Sequence, residues 1–209
     1  MAGLTTASLA CIIDEKADAM SAITNQNGDM TLSAQMRQDG IFMMLTYQVT
    51  NTSDSTLYLF DVLHDQFDGA VFPLVDACYA SLEQGQLVLS RQIVAVPKGT
   101  LVEYVNIPFV TAIKPGFSVE KTVRQVQPVF PWSPYTDRDR IPEAKGVIQM
   151  SAWFRVGYFL GVEGTSDLIK AMPTDQGTRP AFSPFPYASQ KTLMTGPLGN
   201  IAVYDMGQN

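Results

Sequence analysis

The chain has 209 residues, a net charge of −6 and a pI of about 4.7, and it contains no basic run. An acidic surface repels the phosphates of nucleic acids, so these values argue against nucleic acid as a partner. A hydrophobic fraction of 46% with 16% charged residues is enough for a packed core. No stretch approaches the roughly 20 apolar residues that a membrane-spanning helix needs.

Residues 1–27 are predicted to form an N-terminal segment with a short helix near residues 14–23, where apolar residues have partial helical spacing. Asp14 and Glu15 would lie at the favourable end of the helix dipole. No basic n-region precedes an apolar stretch, so no signal peptide is expected and a cytoplasmic location is favoured. A leader removed from the N-terminus would instead indicate export.

Residues 28–209 are interpreted as one β domain with a C-terminal extension, beginning with alternating residues 30–37 as the first strand. A tight turn at Asp39-Gly40 leads into residues 41–49, where alternate positions are again apolar. Small polar residues at 51–55 favour a turn, and the apolar run 56–63 is typical of a strand buried on both faces. Together these runs predict a central β-hairpin.

The rest of the chain is punctuated by turn residues, which predict several further strands and two irregular stretches. In residues 147–160 the apolar face carries Phe154 and the other face carries Trp153. Residues 191–195 and 201–205, around a Gly-Pro turn, predict a C-terminal hairpin. Residues 64–69 are predicted to form a polar loop. The strands that follow fall at residues 70–82 with an interruption at Pro73, at 86–96, at 101–113 and at 117–127. The proline-containing stretches at 128–146 and 161–188 are predicted to be loops.

About seven to nine short strands with frequent turns are typical of a Greek-key β-sandwich. The runs LTYQVTNTSDSTLYLFD and PFVTAIKPGFSVEKTV resemble immunoglobulin-like domains of the intracellular proteinase inhibitor type. Asn51, Ser53, Pro115 and Gly116 match turn positions of that family, over roughly residues 30–127. The resemblance implies an all-β, immunoglobulin-like Greek-key β-sandwich. It also implies a non-enzymatic binding or assembly module, with protease inhibition as one form, although the matched residues build turns rather than a site.

His64 is the only histidine and offers the main enzymatic alternative. A hydrolase could use His64 as a base, oriented by Asp61 or Asp65, with Cys78 or a serine as nucleophile. The spacing matches no local signature and there is no G-x-S-x-G motif, so a histidine with no catalytic role competes with this interpretation. A third alternative is a two-domain pilus-chaperone-like protein hinged within residues 128–146. It would need a basic cleft, which this acidic composition does not indicate.

Two acidic groups could supply oxygen ligands, but neither matches a calcium loop, and no metal or cofactor is expected. The first is Asp61, Asp65 and Asp68; the second lies within residues 137–143, where Arg138 and Arg140 favour solvated ion pairs. Cys11 and Cys78 could pair in an exported protein, or could remain reduced as small buried residues.

Two proline-aromatic stretches, at residues 130–135 and 182–187, place large rings on a stiff backbone. Such rings lose little entropy on binding and are enriched in interaction hot spots. The predicted binding residues are Trp132, Tyr135, Phe185 and Tyr187, and the expected partner is a protein. The competing interpretation is that these rings fold back and cap the sandwich, since exposed apolar patches lower solubility.

Overall fold

Strands make up nearly all of the regular structure in the computed structural model, which describes residues 21–102, 105–136, 143–182 and 189–207. The prediction of an all-β fold is therefore confirmed for the described residues. In chain order the strands are β1 (Ile23–Gln26), β2 (Met30–Asp39), β3 (Phe42–Asn51), β4 (Leu57–Phe67), β5 (Ala70–Leu74), β6 (Tyr79–Glu83), β7 (Gln86–Arg91), β8 (Phe109–Ile113), β9 (Ser118–Val126), β10 (Gly146–Leu160), β11 (Ile169–Thr174), β12 (Gly177–Phe182), β13 (Lys191–Thr195) and β14 (Asn200–Asp205).

The first sheet has the order β1-β2-β3-β9, and every pairing in it is antiparallel. Its β2–β3 hairpin turns at Gly40, as the Asp39-Gly40 pair predicted. Alternate residues of β2 and β3 are buried, because side chains two apart lie on one face of a strand.

The second sheet has the order β5-β4-β10-β7-β6, with β8 paired to β4 and with β13 and β14 paired to β10. The central strand β10 is antiparallel to β4, β13 and β14 and parallel to β7. From Ala152 onward, β10 buries the predicted face, whereas Val147 and Ile148 at its start are exposed.

The two sheets share one hydrophobic core between their facing sides. Tyr47 of the first sheet and Phe154 of the second lie with ring centroids 4.6 Å apart. The opposite side of the second sheet, here called the outer face, is covered in part. The β11–β12 hairpin packs there, with Phe182 edge-on to Phe159 at 4.5 Å and to Tyr58 at 5.9 Å. The part of the second sheet around Tyr58, Phe60 and Phe159 is thus buried on both sides.

The predicted central hairpin is wrong, because β3 belongs to the first sheet and β4 to the second. Asn51 explains the crossing: its buried side-chain amide donates hydrogen bonds of 2.8 Å to the carbonyls of Ser55 and Ile113. The return crossing from β8 to β9 lies alongside, since Gly116 donates its backbone N–H to Asn51. The five small polar residues at 51–55 are therefore compatible with a crossing between two sheets as well as with a hairpin turn within one sheet.

The predicted C-terminal hairpin is also wrong. β13 and β14 do not pair with each other; they run one after the other along β10, opposite Phe154–Tyr158 and Gly146–Ser151. Residues 196–199 bridge the two strands, with Leu198 and Gly199 hydrogen-bonded to the backbone of Ala152. A Cβ at Gly196 would lie 2.9 Å from the indole of Trp153, so this bridge passes closely over β10.

Three further predictions need correction. Residues 64–67 continue β4 instead of forming a loop, and the reversal comes at Asp68 and Gly69, both at positive φ. Residues 161–182, predicted to be irregular, contain the β11–β12 hairpin. Ile23, the predicted end of the N-terminal helix, begins β1, while residues 14–20 lie outside the described part.

Candidate functional site

A cleft of about 480 Å³ lies on the outer face of the second sheet, under the β11–β12 hairpin. The β4–β5 hairpin contributes His64, Gln66 and Val71, and the segment before β8 contributes Val105 and Ile107. The β11–β12 hairpin closes the far side with Met172, Pro173 and Phe182. The cleft is therefore walled mainly by apolar side chains on strands.

Alternation along β4 determines which of its residues reach the cleft. Leu57 and Leu59 belong to the core between the sheets, whereas Tyr58, Phe60 and Val62 pack on the outer face against β12. His64 and Gln66 continue that outward series, because the side-chain period of a strand is two. Strand β4, which contains the run predicted to be buried on both faces, therefore places His64 in the cleft.

His64 holds one wall of the cleft in place. Its Nε2 lies 3.0 Å from the carbonyl oxygen of Ile107, so the tautomer with a proton on Nε2 donates to it. Asn106 donates at 3.4 Å to the backbone carbonyl of His64 and accepts at 3.2 Å from the hydroxyl of Tyr79. Burial lowers the pKa of His64 below its ordinary value of 6.5, so the imidazole is neutral at physiological pH.

The structure does not assemble His64 and Asp61 into a dyad. Asp61 faces the first sheet, where its Oδ2 accepts from the hydroxyl of Thr111 at 2.8 Å and lies 3.4 Å from the Nζ of Lys121. Its pKa is raised by burial, and the charges of Lys121 and Arg91 oppose that rise. Asp65 is close enough to His64 to raise the pKa of the imidazole, but the opposite effect of burial is larger.

Cys78 is separated from the cleft as well. It is fully buried in the core between the sheets, where the side-chain amide of Gln125 donates to its sulfur at 3.1 Å. Burial raises the pKa of this free thiol to about 11, which suppresses the nucleophilic thiolate. Cys11 lies outside the described residues. Among the described residues that line the cleft there is no serine, threonine or cysteine.

Arg91 is a fully buried arginine at the end of β7, between the two sheets. Its guanidinium donates to the backbone carbonyls of Asp61, Val75 and Ala77 and, at 3.2 Å, to the hydroxyl of Tyr47. It thus connects β7 to β4, to the segment before β6 and to the first sheet. The sequence carried a signal for it: residue 91 continues the apolar face of Leu87 and Leu89, where an arginine needs buried acceptors.

The described aromatic loop folds against the edge of the second sheet. Trp132 is half-buried, exchanges two backbone hydrogen bonds with Ala80, and lies edge-on to Tyr79 with ring centroids 5.0 Å apart. Tyr135 is also half-buried. The predicted binding residues Phe185 and Tyr187 lie outside the described residues. The aromatic-loop hypothesis stays a prediction, with Trp132 neither fully exposed nor fully buried.

No cluster of histidine, cysteine, aspartate and glutamate in the described part of the chain could hold a metal ion. Asp137 and Asp139 of the second acidic group fall outside that part. Within the described ranges, no helix has the length and apolar character that crossing a bilayer requires. Comparison with protein-family models, with curated proteins and with solved structures finds no match to this chain.

Proposed function

We propose that this protein is a non-enzymatic binding module that takes up a predominantly apolar small molecule in the outer-face cleft. The observation that carries the proposal is the cleft itself. Its volume of about 480 Å³ falls within the range of small-molecule sites, roughly 300 to 1,000 Å³. Such sites are typically walled by apolar and aromatic side chains with a few polar groups, which is the composition found here.

The side chains that form the walls of the cleft are held in place by packing and hydrogen bonds. Val62, Phe109 and Ala181 are buried together beneath it, and Val71 and Met172 pack against them. On the other side, the ring of His64 lies 5.1 Å from that of Phe109, and Ile107 is hydrogen-bonded to the imidazole. A site held by strands and paired side chains needs little reorganisation when a ligand enters, which favours affinity.

The proposed framework is an immunoglobulin-like β-sandwich. Support comes from two sheets that share a core and from the paired crossings β3 to β4 and β8 to β9, joined at Asn51. Asn51 and Ser53, which carried the family resemblance, are hydrogen-bonded to each other in that crossing. The Greek-key strand order remains part of the proposal.

Two observations favour the hydrolase alternative: His64 lies in a concave site, and burial lowers its pKa. Against it, the Nε2 of His64 is engaged by a backbone carbonyl, and Asp61 faces the other side of the sheet. Binding without catalysis requires neither a free Nε2 nor an orienting aspartate, so the observed arrangement fits binding better than hydrolysis.

The neutral fluorescent probe N-phenylnaphthylamine tests the proposal directly. The intact protein is expected to enhance its fluorescence saturably, and Val71→Arg should weaken binding at least about tenfold, because a guanidinium would enter an apolar cleft. Val147→Arg is the matched control: Val147 is 53% exposed and does not line the cleft, so affinity should be unchanged. Trp132→Ala should also bind normally.

Two outcomes would contradict this function. Equal probe affinity in Val71→Arg and the intact protein would place binding elsewhere. Loss of binding in Trp132→Ala alone would transfer the site to the aromatic loop. Circular dichroism of each variant verifies that the β structure is retained.

A further inference from the structure

The cleft lacks charged side chains among the described residues that line it. Apart from His64 and Gln66, the described residues of the lining are a glycine, a proline and apolar side chains. A charged ligand group buried there would lose hydration without gaining an ion pair with any of these described residues, which disfavours its binding. The lining therefore selects against charge of either sign.

His64 does not alter this selection at neutral pH. Its Nε2–H is directed to Ile107, and its Nδ1 is buried without a hydrogen-bond partner among the described residues. A proton on Nδ1 would have no acceptor among the described protein groups, so the protein alone favours the neutral ring. The neutral histidine therefore supplies no positive charge that would attract an anion into the cleft.

Asp65, a charged residue on the same strand as His64, has the wrong sign to attract an anion. Asp65 follows His64 along β4 and is close enough to affect its ionisation. The whole chain has a net charge of −6, which adds a long-range repulsion for anions. An amphiphile with an anionic head would thus meet unfavourable electrostatics at the cleft and over the surface.

We propose that the ligand of this cleft is an uncharged small molecule, and that the cleft discriminates against carboxylates and ammonium ions that carry the same apolar body. This inference rests on the proposed function, because it specifies the ligand of the same site. Its structural basis is an apolar lining whose polar groups are an imidazole already engaged by Ile107 and a carboxamide.

Three probes with one ring system isolate the effect of charge: naphthylmethanol, naphthoate and naphthylmethylammonium, all of the same positional isomer. Each displaces N-phenylnaphthylamine from the intact protein at neutral pH, and a parallel titration in higher salt separates long-range from local electrostatics. The alcohol is expected to bind at least about tenfold more tightly than either ion. The preference should persist in salt, because it arises from desolvation inside the cleft.

Tighter binding of naphthoate would overturn the inference and would indicate a cation at the site. Tighter binding of the ammonium ion would overturn it in the other sense, with Asp65→Asn identifying whether that carboxylate is responsible. Either result leaves the binding function standing. Failure of N-phenylnaphthylamine to bind in the first place would instead remove the proposed function.

Discussion

Replacing Arg91 with methionine is expected to lower the free energy of unfolding by about 3 to 5 kcal/mol, the usual cost of removing one partner from a buried charged network. Methionine fills similar space but donates no hydrogen bond. The carbonyls of Asp61, Val75 and Ala77 would lose their buried donor. The buried carboxylate of Asp61 would also lose a stabilising positive charge.

The measurement is urea unfolding followed by circular dichroism, with Arg37→Met as the matched control. The Arg37 side chain is 54% exposed and forms a 3.7 Å surface ion pair with Asp39, so that change should stay within about 0.5 kcal/mol. Arg91→Lys should recover only part of the loss, because an ammonium group cannot reproduce the planar set of donors. If Arg91→Met unfolded at the same urea concentration as Arg37→Met, Arg91 would not be the cross-link between the sheets.

Phe154→Ala is expected to destabilise the protein by about 3 to 5 kcal/mol, because it leaves a cavity between the two sheets. Phe154 is 0% exposed and packs on Tyr47 at the centre of the shared core. Trp153→Ala should cost less, although the indole is larger, because Trp153 is only half-buried on the outer face. The two variants are compared by urea unfolding under identical conditions, and a larger loss for Trp153→Ala would mean that the faces of β10 are reversed.

Local periodicity predicted the strands and most of their faces. Residues 30–37 and 147–160 have a period of two, which differs from the period of a helix, and both runs form strands. The expected side is buried in the first run, and in the second run it is buried from Ala152 onward. The sheet to which a strand belongs could not be predicted in the same way. The crossing between sheets depends on the hydrogen bond from the side-chain amide of Asn51 to the carbonyl of Ile113, which lies 62 residues further along the chain.

The cleft was still harder to predict, because three distant segments build it. His64 stood out as the only histidine, but its partner, the carbonyl of Ile107, is 43 residues away and carries no side-chain signature. The far wall comes from β11 and β12, whose region was predicted to be a loop because it contains prolines. Pro173 and Pro180 have no backbone N–H to donate. They are tolerated there because each strand of a two-stranded sheet has an outer edge where no N–H donor is needed.

The most direct test of the cleft is a methyl-labelled NMR titration of the intact protein with naphthylmethanol. We expect progressive shifts of the methyl signals of Met172, Val71 and Ile107, which line the cleft. The signals of Leu45 and Val123, buried between the sheets, should stay in place. Shifts confined to residues outside the cleft, or no shifts at saturating probe, would contradict the proposal that the outer face of the second sheet binds an uncharged ligand.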